Sequence, residues 1–294
     1  MAAMSSNIKP HCHVRSNSLP STSDQPIVFN EIYKFQASKE TTTSCSSSSL
    51  LGNKLSCLND MYEAIQPFLT LPSTQQSLAQ GCYKEQLNKF LDELLGLLDL
   101  CSTTKDALSI SMDCAKELQS VIRRKRGSNH GLTSSVKDYQ SQRRKVKRAV
   151  CKTLSDLKKQ STVSVKEDSR GKSNINILKE MRLNTLAVFK LLLNFVGSNR
   201  QSKPKGWSLV SKMISGELEQ CHQTPEETEV QKVDQELQTL ITYMKIKSDS
   251  LVVDHIQKGL AEMEFALRDL SEQVECLCRH LIKTRVSILN ILNF

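Results

Sequence analysis

The sequence predicts an all-α protein, a multi-helix antiparallel bundle behind a disordered N-terminal tail. Three observations predict this fold class. No proline occurs between Pro72 and Pro204, a gap of 131 residues, which is hard to reconcile with a fold of strands and turns. Apolar residues recur through this stretch at helical spacings of three and four. Only 10 glycines occur in 294 residues, about half of average usage, which argues against sandwiches and barrels with many tight turns.

Residues 1–52 form the predicted disordered tail. The first fifty residues contain 12 serines and 4 threonines with prolines interspersed, and they offer too little apolar surface to offset the entropy of ordering. The tail is Ser-rich, as transit peptides are, but Asp24, Glu31 and Glu40 argue against that interpretation.

The ten cysteines are scattered without a CxxC pair, and no hydrophobic signal-peptide core follows Met1. A secreted disulfide framework is therefore disfavoured. We expect an intracellular protein with reduced thiols, most simply cytoplasmic, while the nucleus, the membrane periphery and the plastid stay open.

Residues 53–294 form the predicted bundle domain, whose helices follow from apolar periodicity and from start and stop signals. Two starts resemble capping boxes, Thr103-x-x-Asp106 and Thr228-x-x-Gln231. An amphipathic piece at Trp207–Ile214 lies between two of the helices. The predicted helices are 53–66, which stops at Pro67, then 84–100, 103 to about 126, 135–160, 178–197, 228–244 and a last helix of about 40 residues, about 60 Å long.

The last helix carries the most regular pattern, because its apolar residues alternate spacings of three and four. Continuing this register gives Thr284, Ile288 and Ile291. Flanking heptad positions hold few charges, which favours the spine of an intramolecular bundle over a two-stranded coiled coil. Homodimerisation through the seam is the second choice. The seam residues are Val253, Ile256, Leu260, Met263, Leu267, Leu270, Val274, Leu277 and Leu281.

Charge is segregated along the chain. Residues 115–160 carry a net charge of +11 and residues 217–275 a net charge of −9. We expect Arg143, Arg144, Lys147 and Arg148 to share one helix face, with Val146 and Val150 pointing elsewhere. The predicted basic patch consists of Arg123, Arg124, Lys125, Arg126, Arg143, Arg144, Lys147 and Arg148.

Several interpretations of the basic patch stay open. The plainest is a solvated face, or one that meets the acidic region within the bundle. The functional alternatives are an anionic membrane surface, an import receptor and nucleic acid. Nucleic acid is the poorest fit, because Tyr139 is the only aromatic residue in 115–160.

No residue constellation specifies a reaction. The sequence has no P-loop, GxSxG, HExxH or GxGxxG motif. His11-Cys12-His13 lacks a fourth metal ligand nearby, and on a helix Cys278 points away from Cys276 and His280. We therefore predict a non-enzymatic protein with no cofactor, no metal and no catalytic residue.

The sharpest short motif lies in the tail, at Arg15-Ser16-Asn17-Ser18-Leu19-Pro20. It resembles the phosphoserine motif that 14-3-3 proteins bind, Arg-Ser-x-pSer-x-Pro. Arg15 at position −3 suits a basophilic kinase, and a phosphate on Ser18 adds nearly two negative charges. The alternative is a chance match in a Ser-rich segment. The predicted site residues are Arg15, Ser16, Ser18 and Pro20.

Six collinear blocks of the sequence are familiar together. They are His13–Pro20, Leu71–Ala79, Leu98–Ser102, Ile122–Gly127, Trp207–Lys212 and Leu281–Asn290. These blocks resemble a plant-specific family of unknown biochemical function that is related to the BYPASS proteins of root and shoot development. The resemblance covers nearly the whole chain. It implies a developmental role and supplies no catalytic residues, since the family has no defined active site.

Taken together, these patterns predict a helical scaffold or regulatory protein with a phosphoregulated tail, and the family resemblance implies a role in plant root and shoot development. Protein partners are expected, among them a 14-3-3 protein. The alternative is peripheral association with anionic lipid through residues 123–148.

Overall fold

The computed structural model describes residues 30–32, 34–35, 47–124, 131–163, 174–198, 227–243 and 250–293. These residues contain helices and no strand, so the all-α prediction is confirmed. A 3-10 turn, Gly81–Tyr83, joins the second and third helices. In chain order the helices are α1 (Ser48–Thr70), α2 (Pro72–Leu78), α3 (Lys84–Arg124), α4 (Leu132–Val163), α5 (Asn174–Gly197), α6 (Glu229–Tyr243) and α7 (Ser250–Leu292).

The first helix is longer than predicted at both ends. It begins at Ser48 and continues through Pro67 to Thr70. Proline lacks an N–H donor and usually breaks a helix, but the next two residues, Phe68 and Leu69, are buried in the core and hold the last turn in place. The prediction that the helix stops at Pro67 was therefore wrong.

Part of the predicted tail belongs to the folded unit. Leu51 in the first turns of α1 is buried, and so are Ile32 and Phe35 in the short helical stretch before it. The remainder of residues 1–46 lies outside the described residues, as do 164–173 and 199–226 with the amphipathic piece Trp207–Ile214.

The predicted break between 100 and 103 was also wrong, because α3 is one helix of 41 residues. The hydroxyls of Thr103 and Thr104 donate to the carbonyls of Asp99 and Leu100, at 3.0 and 2.7 Å. Because each hydroxyl bonds to the carbonyl four residues before it in the same helix, neither caps the start of a new helix. Burial continues across the predicted break through Leu100, Cys101, Thr104 and Leu108.

The seam of α7 is the spine of the bundle, as predicted. Its residues from Ile256 to Leu281 are buried and Val253 is half-buried. The one polar position that continues the register, Thr284, is buried and accepts a hydrogen bond from Gln66 of α1 at 2.9 Å. The seam packs mainly against α3 and α1 of the same chain, with α6 beside its first half.

The helix directions follow from pairs of contacting residues. Gln119 of α3 contacts Glu264 of α7 and Lys105 contacts Glu275, so these two helices are antiparallel. Helices α6 and α7 are antiparallel as well, because Glu236 pairs with His255 while Val233 lies beside Gly259. In contrast, α1 and α7 are parallel neighbours, so the predicted antiparallel arrangement does not hold for this pair. The Asn59 side chain donates to the Gln273 carbonyl, and the Gln66 side chain donates to the Thr284 hydroxyl.

Candidate functional site

A buried arginine, Arg143 of α4, has hydrogen-bond partners on three other elements of the bundle. Its side chain is only 2% exposed. Arg143 occupies the helix register of Val136, Tyr139, Val146 and Val150, all of which are buried. The prediction that Arg143 shares an exposed stripe, with Val146 and Val150 pointing elsewhere, was therefore wrong.

Each nitrogen of the Arg143 guanidinium has a partner. Nη1 donates to the hydroxyl of Ser111 on α3 at 2.8 Å, and Nη2 donates to the Val196 carbonyl at 2.8 Å and to the Ser198 hydroxyl at 3.0 Å. Nε and Nη2 each lie 3.3 Å from an oxygen of Asp234 on α6. This fork matches the planar geometry that a carboxylate offers to arginine.

Asp234 has four donor residues, three on α4 and one at the end of α5. Besides Arg143, it accepts hydrogen bonds from the hydroxyls of Tyr139 and Ser198, each at 3.1 Å, and its carboxylate pairs with Lys147 Nζ at 2.9 Å. We call the set Ser111, Tyr139, Arg143, Lys147, Ser198 and Asp234 the Arg143–Asp234 node.

Electrostatics in the node follow from burial and from two adjacent cations. Burial by itself raises the pKa of Asp234, but Arg143 and Lys147 outweigh it and hold that pKa below its ordinary value. Burial, followed by the nearby Asp234 charge, raises the pKa of Tyr139 well above its ordinary value. Asp234 is thus ionised and Tyr139 is a neutral donor at physiological pH.

The C-terminal end of α5 contributes two hydrogen-bonding groups to the node, the Ser198 hydroxyl and the Val196 carbonyl. Ser198 follows the last helical residue and has a φ of 49°, in the left-handed region that non-glycine residues seldom adopt. This conformation places its hydroxyl between Arg143 and Asp234. The Val196 carbonyl, one of the carbonyls that a helix end leaves unpaired, accepts from the Arg143 cation. A cation is favourable at this end of a helix.

The node joins four elements, α3, α4, the end of α5 and α6, and it lies among packed side chains. Two hollows between α6 and α7, about 610 and 310 Å³ in volume, share Lys232, Glu236 and His255 as lining residues and take no side chain from the node. The arrangement can fix helices against one another and balance charge.

The rest of the predicted basic patch divides into three groups. Arg123, Arg124, Arg144 and Arg148 are exposed, and Lys147 is half-buried against Asp234. Lys125 and Arg126 lie outside the described residues. The outer face of α4 therefore keeps its cations, without Arg143.

A family model described as Protein BPS1 matches residues 54–291 of the chain. The chain belongs to the BPS1 family. This family is BYPASS-related, so the predicted family resemblance is confirmed; five of the six sequence blocks lie within the match and His13–Pro20 precedes it. Membership suggests a role in plant development. No curated protein and no solved structure matches the chain.

The BPS1-family match contains every residue of the Arg143–Asp234 node and all seam residues of α7. The phosphoserine motif, Arg15, Ser16, Ser18 and Pro20, precedes the match and lies outside the described residues. Within the described part of the chain, no three His, Cys, Asp or Glu residues are grouped to hold a metal ion. None of the described helices is long and apolar enough to span a bilayer.

The helical periodicity of apolar residues in α4 could have predicted that Arg143 is buried. Position 143 continues the alternating spacing of 136, 139, 146 and 150, and that register marks the buried face of α4. Asp234 lies four residues after Val230 and three before Leu237, so the same kind of register places it beside the buried face of α6. Its pairing with Arg143, 91 residues away, has no sequence signal.

Proposed function

We propose that this BPS1-family protein is a non-enzymatic helical scaffold that binds regulatory partners in plant root and shoot development. The observation that supports the proposal is the placement of the Arg143–Asp234 node. Its converging polar groups hold four elements together, and none of them lines either of the two hollows between α6 and α7. Such a fold offers partners a fixed surface rather than a reaction centre.

The N-terminal motif supplies the regulatory part of this proposal. Arg15 stands three residues before Ser18, and Pro20 stands two residues after it. Phosphate on Ser18 adds nearly two negative charges and three acceptor oxygens for an arginine cluster to bind. The partner class that reads this pattern is a 14-3-3 protein.

The test is a pull-down with a purified 14-3-3 protein and the full chain, phosphorylated by a basophilic kinase. Binding to the 14-3-3 protein is expected for the wild-type chain and for Ser21→Ala, a matched control that lies outside the motif. Ser18→Ala is expected to lose this binding. Equal capture of Ser18→Ala and wild type, or no phosphate-dependent capture, would contradict this part of the proposal.

A second function is favoured by a different observation, the cations on the outer face of α4. Arg144, Lys145 and Arg148 are exposed, and none of them has a carboxylate partner among the described residues. Each cation near an anionic lipid surface contributes about 1 kcal/mol. We propose peripheral membrane association through this face as the alternative.

Flotation with phosphatidylcholine vesicles, with and without phosphatidylserine, tests the alternative. Binding is expected only to the anionic vesicles and is expected to fall as salt rises. Reversing Arg144, Lys145 and Arg148 to glutamate should abolish binding. A control with the same change in net charge reverses exposed lysines of α3, Lys84, Lys89 and Lys116. Loss of vesicle binding in both triple variants, or binding that does not change with salt concentration, would contradict the proposal that the α4 face is the binding site.

A further inference from the structure

An apolar patch lies on the outer side of the groove between α3 and α7. Leu95 of α3 is 43% exposed, and Ile282 and Val286 of α7 are 49% and 50% exposed. Leu98, half-buried, lies one turn from Leu95. We call Leu95, Leu98, Ile282 and Val286 the α3–α7 patch.

The register of the two helices places these residues side by side. Lys105 and Glu275 form an ion pair at the outer edge of the groove, with both side chains about two-fifths exposed. Because α3 and α7 are antiparallel, Leu98 and Ile282 each lie seven residues, about two turns, from that pair in the same direction. Leu95 and Val286 come one turn further on. The four residues therefore form one surface.

Charges of opposite sign border the patch on its two helices. Asp92 and Asp99 stand three residues before and four residues after Leu95, so they flank it on α3. Arg279 and Lys283 border Ile282 and Val286 on α7 in the same way. All four side chains are exposed, and none forms a salt bridge with another described residue.

A surface with an acidic edge on one helix and a basic edge on the next can complement itself. Rotation by 180° about an axis parallel to both helices, lying in the interface, brings α3 of one copy opposite α7 of the other at the same height. Asp99 is level with position 281 of α7, between Arg279 and Lys283. In such a pair each Asp99 faces two cations of the other copy, and the apolar residues meet between them.

We propose that the α3–α7 patch binds a second copy of the chain and forms a symmetric homodimer. This assembly uses a surface separate from the buried seam of α7. It goes beyond the proposed scaffold function, because two copies present two N-terminal motifs to a partner.

Analytical ultracentrifugation of the full chain, from about 1 to 100 µM, tests the proposal over the affinities expected of a specific dimer. The wild-type chain is expected to sediment as a dimer at the upper concentrations and Ile282→Glu as a monomer. Phe265→Glu is the matched control: it removes a side chain that is 74% exposed on the same helix, about 25 Å away along the axis. This control is expected to dimerise like wild type. Circular dichroism checks that each variant keeps its helices.

Exchange of charges identifies the orientation of the two copies. Asp99→Lys and Lys283→Asp each place like charges opposite one another and are expected to raise the dimer Kd by about tenfold or more. The double variant restores opposite charges and is expected to recover most of that loss. A monomeric wild-type chain, a dimeric Ile282→Glu, a monomeric Phe265→Glu, or a double variant no tighter than its parents would overturn the proposal.

Discussion

Arg143 shows how a single charged residue is stabilised inside an apolar bundle. A buried guanidinium is costly unless its donors are satisfied and its charge is balanced. Ser111, the Val196 carbonyl and Ser198 satisfy donors, and Asp234 balances the charge. These partners come from α3, the end of α5 and α6. The buried arginine of α4 therefore fixes the positions of three other helices relative to α4.

Removing the carboxylate should therefore be strongly destabilising. We expect Asp234→Ala to lower the free energy of unfolding by about 3 kcal/mol, because Arg143 then stays buried without a counter-charge. Asp156→Ala is the control, since Asp156 forms an exposed pair with Lys159 within α4, and such a pair contributes at most about 1 kcal/mol. Chemical denaturation measures both values, and equal losses would contradict the role of the node.

The same carboxylate predicts a pH dependence. The pKa of Asp234 is lower in the folded chain than its ordinary value of 3.8, so its stabilisation is complete above that value and is lost as pH falls through the folded pKa. Below about pH 4, the wild-type chain should lose stability more steeply than Asp234→Asn. Parallel acid-unfolding curves would contradict this expectation.

For single residues, the clustering of charges and the helical periodicity of apolar residues lead to different predictions. Clustering of Arg143 with Arg144 and Lys147 suggested an exposed basic stripe, and this was correct for Arg144. The register with Tyr139 and Val150 puts Arg143 on the buried face. No local pattern could reveal its partner, because Asp234 reaches it only through the tertiary packing of α6.

At the scale of helices, two similar motifs have different outcomes. Thr228 and Gln231 form a reciprocal capping box, with hydrogen bonds of 3.2 and 3.1 Å between the backbone N–H of each and the side chain of the other. Thr103 forms no such cap, because the buried stripe of α3 continues past it. A capping signal therefore predicts a helix start only where the apolar periodicity is also interrupted.

The capping box of α6 yields a prediction for that helix. Thr228→Ala removes the acceptor for the Gln231 N–H and is expected to destabilise α6 by about 1 kcal/mol. Thr239→Ala is the control, because the Thr239 hydroxyl donates only to the Gln235 carbonyl within the same helix. Hydrogen exchange of peptides that cover Glu229–Tyr243 should be faster in Thr228→Ala alone. Equal acceleration in both variants would contradict the role of the cap.

At the scale of the whole molecule, the seam of α7 was predictable and the helix directions were not. A strict spacing of three and four identifies a buried face whatever lies opposite it, and Ile256 through Leu281 are buried accordingly. The direction of α1 relative to α7 depends on contacts such as Gln66 with Thr284, 218 residues apart. Periodicity within either helix carries no information about that pairing.

Native-state hydrogen exchange with mass spectrometry of the full chain tests most directly whether α7 is the spine of the bundle. Amides of Ser250–Leu292 along the seam should exchange only through global unfolding, together with the middle of α1 and α3, against which α7 packs. Asp234→Ala lowers the free energy of unfolding, so it should speed the exchange of these amides by the same factor by which it raises the unfolding equilibrium constant. Exchange of the central α7 amides by local opening, while α1 and α3 stay protected, would contradict the account.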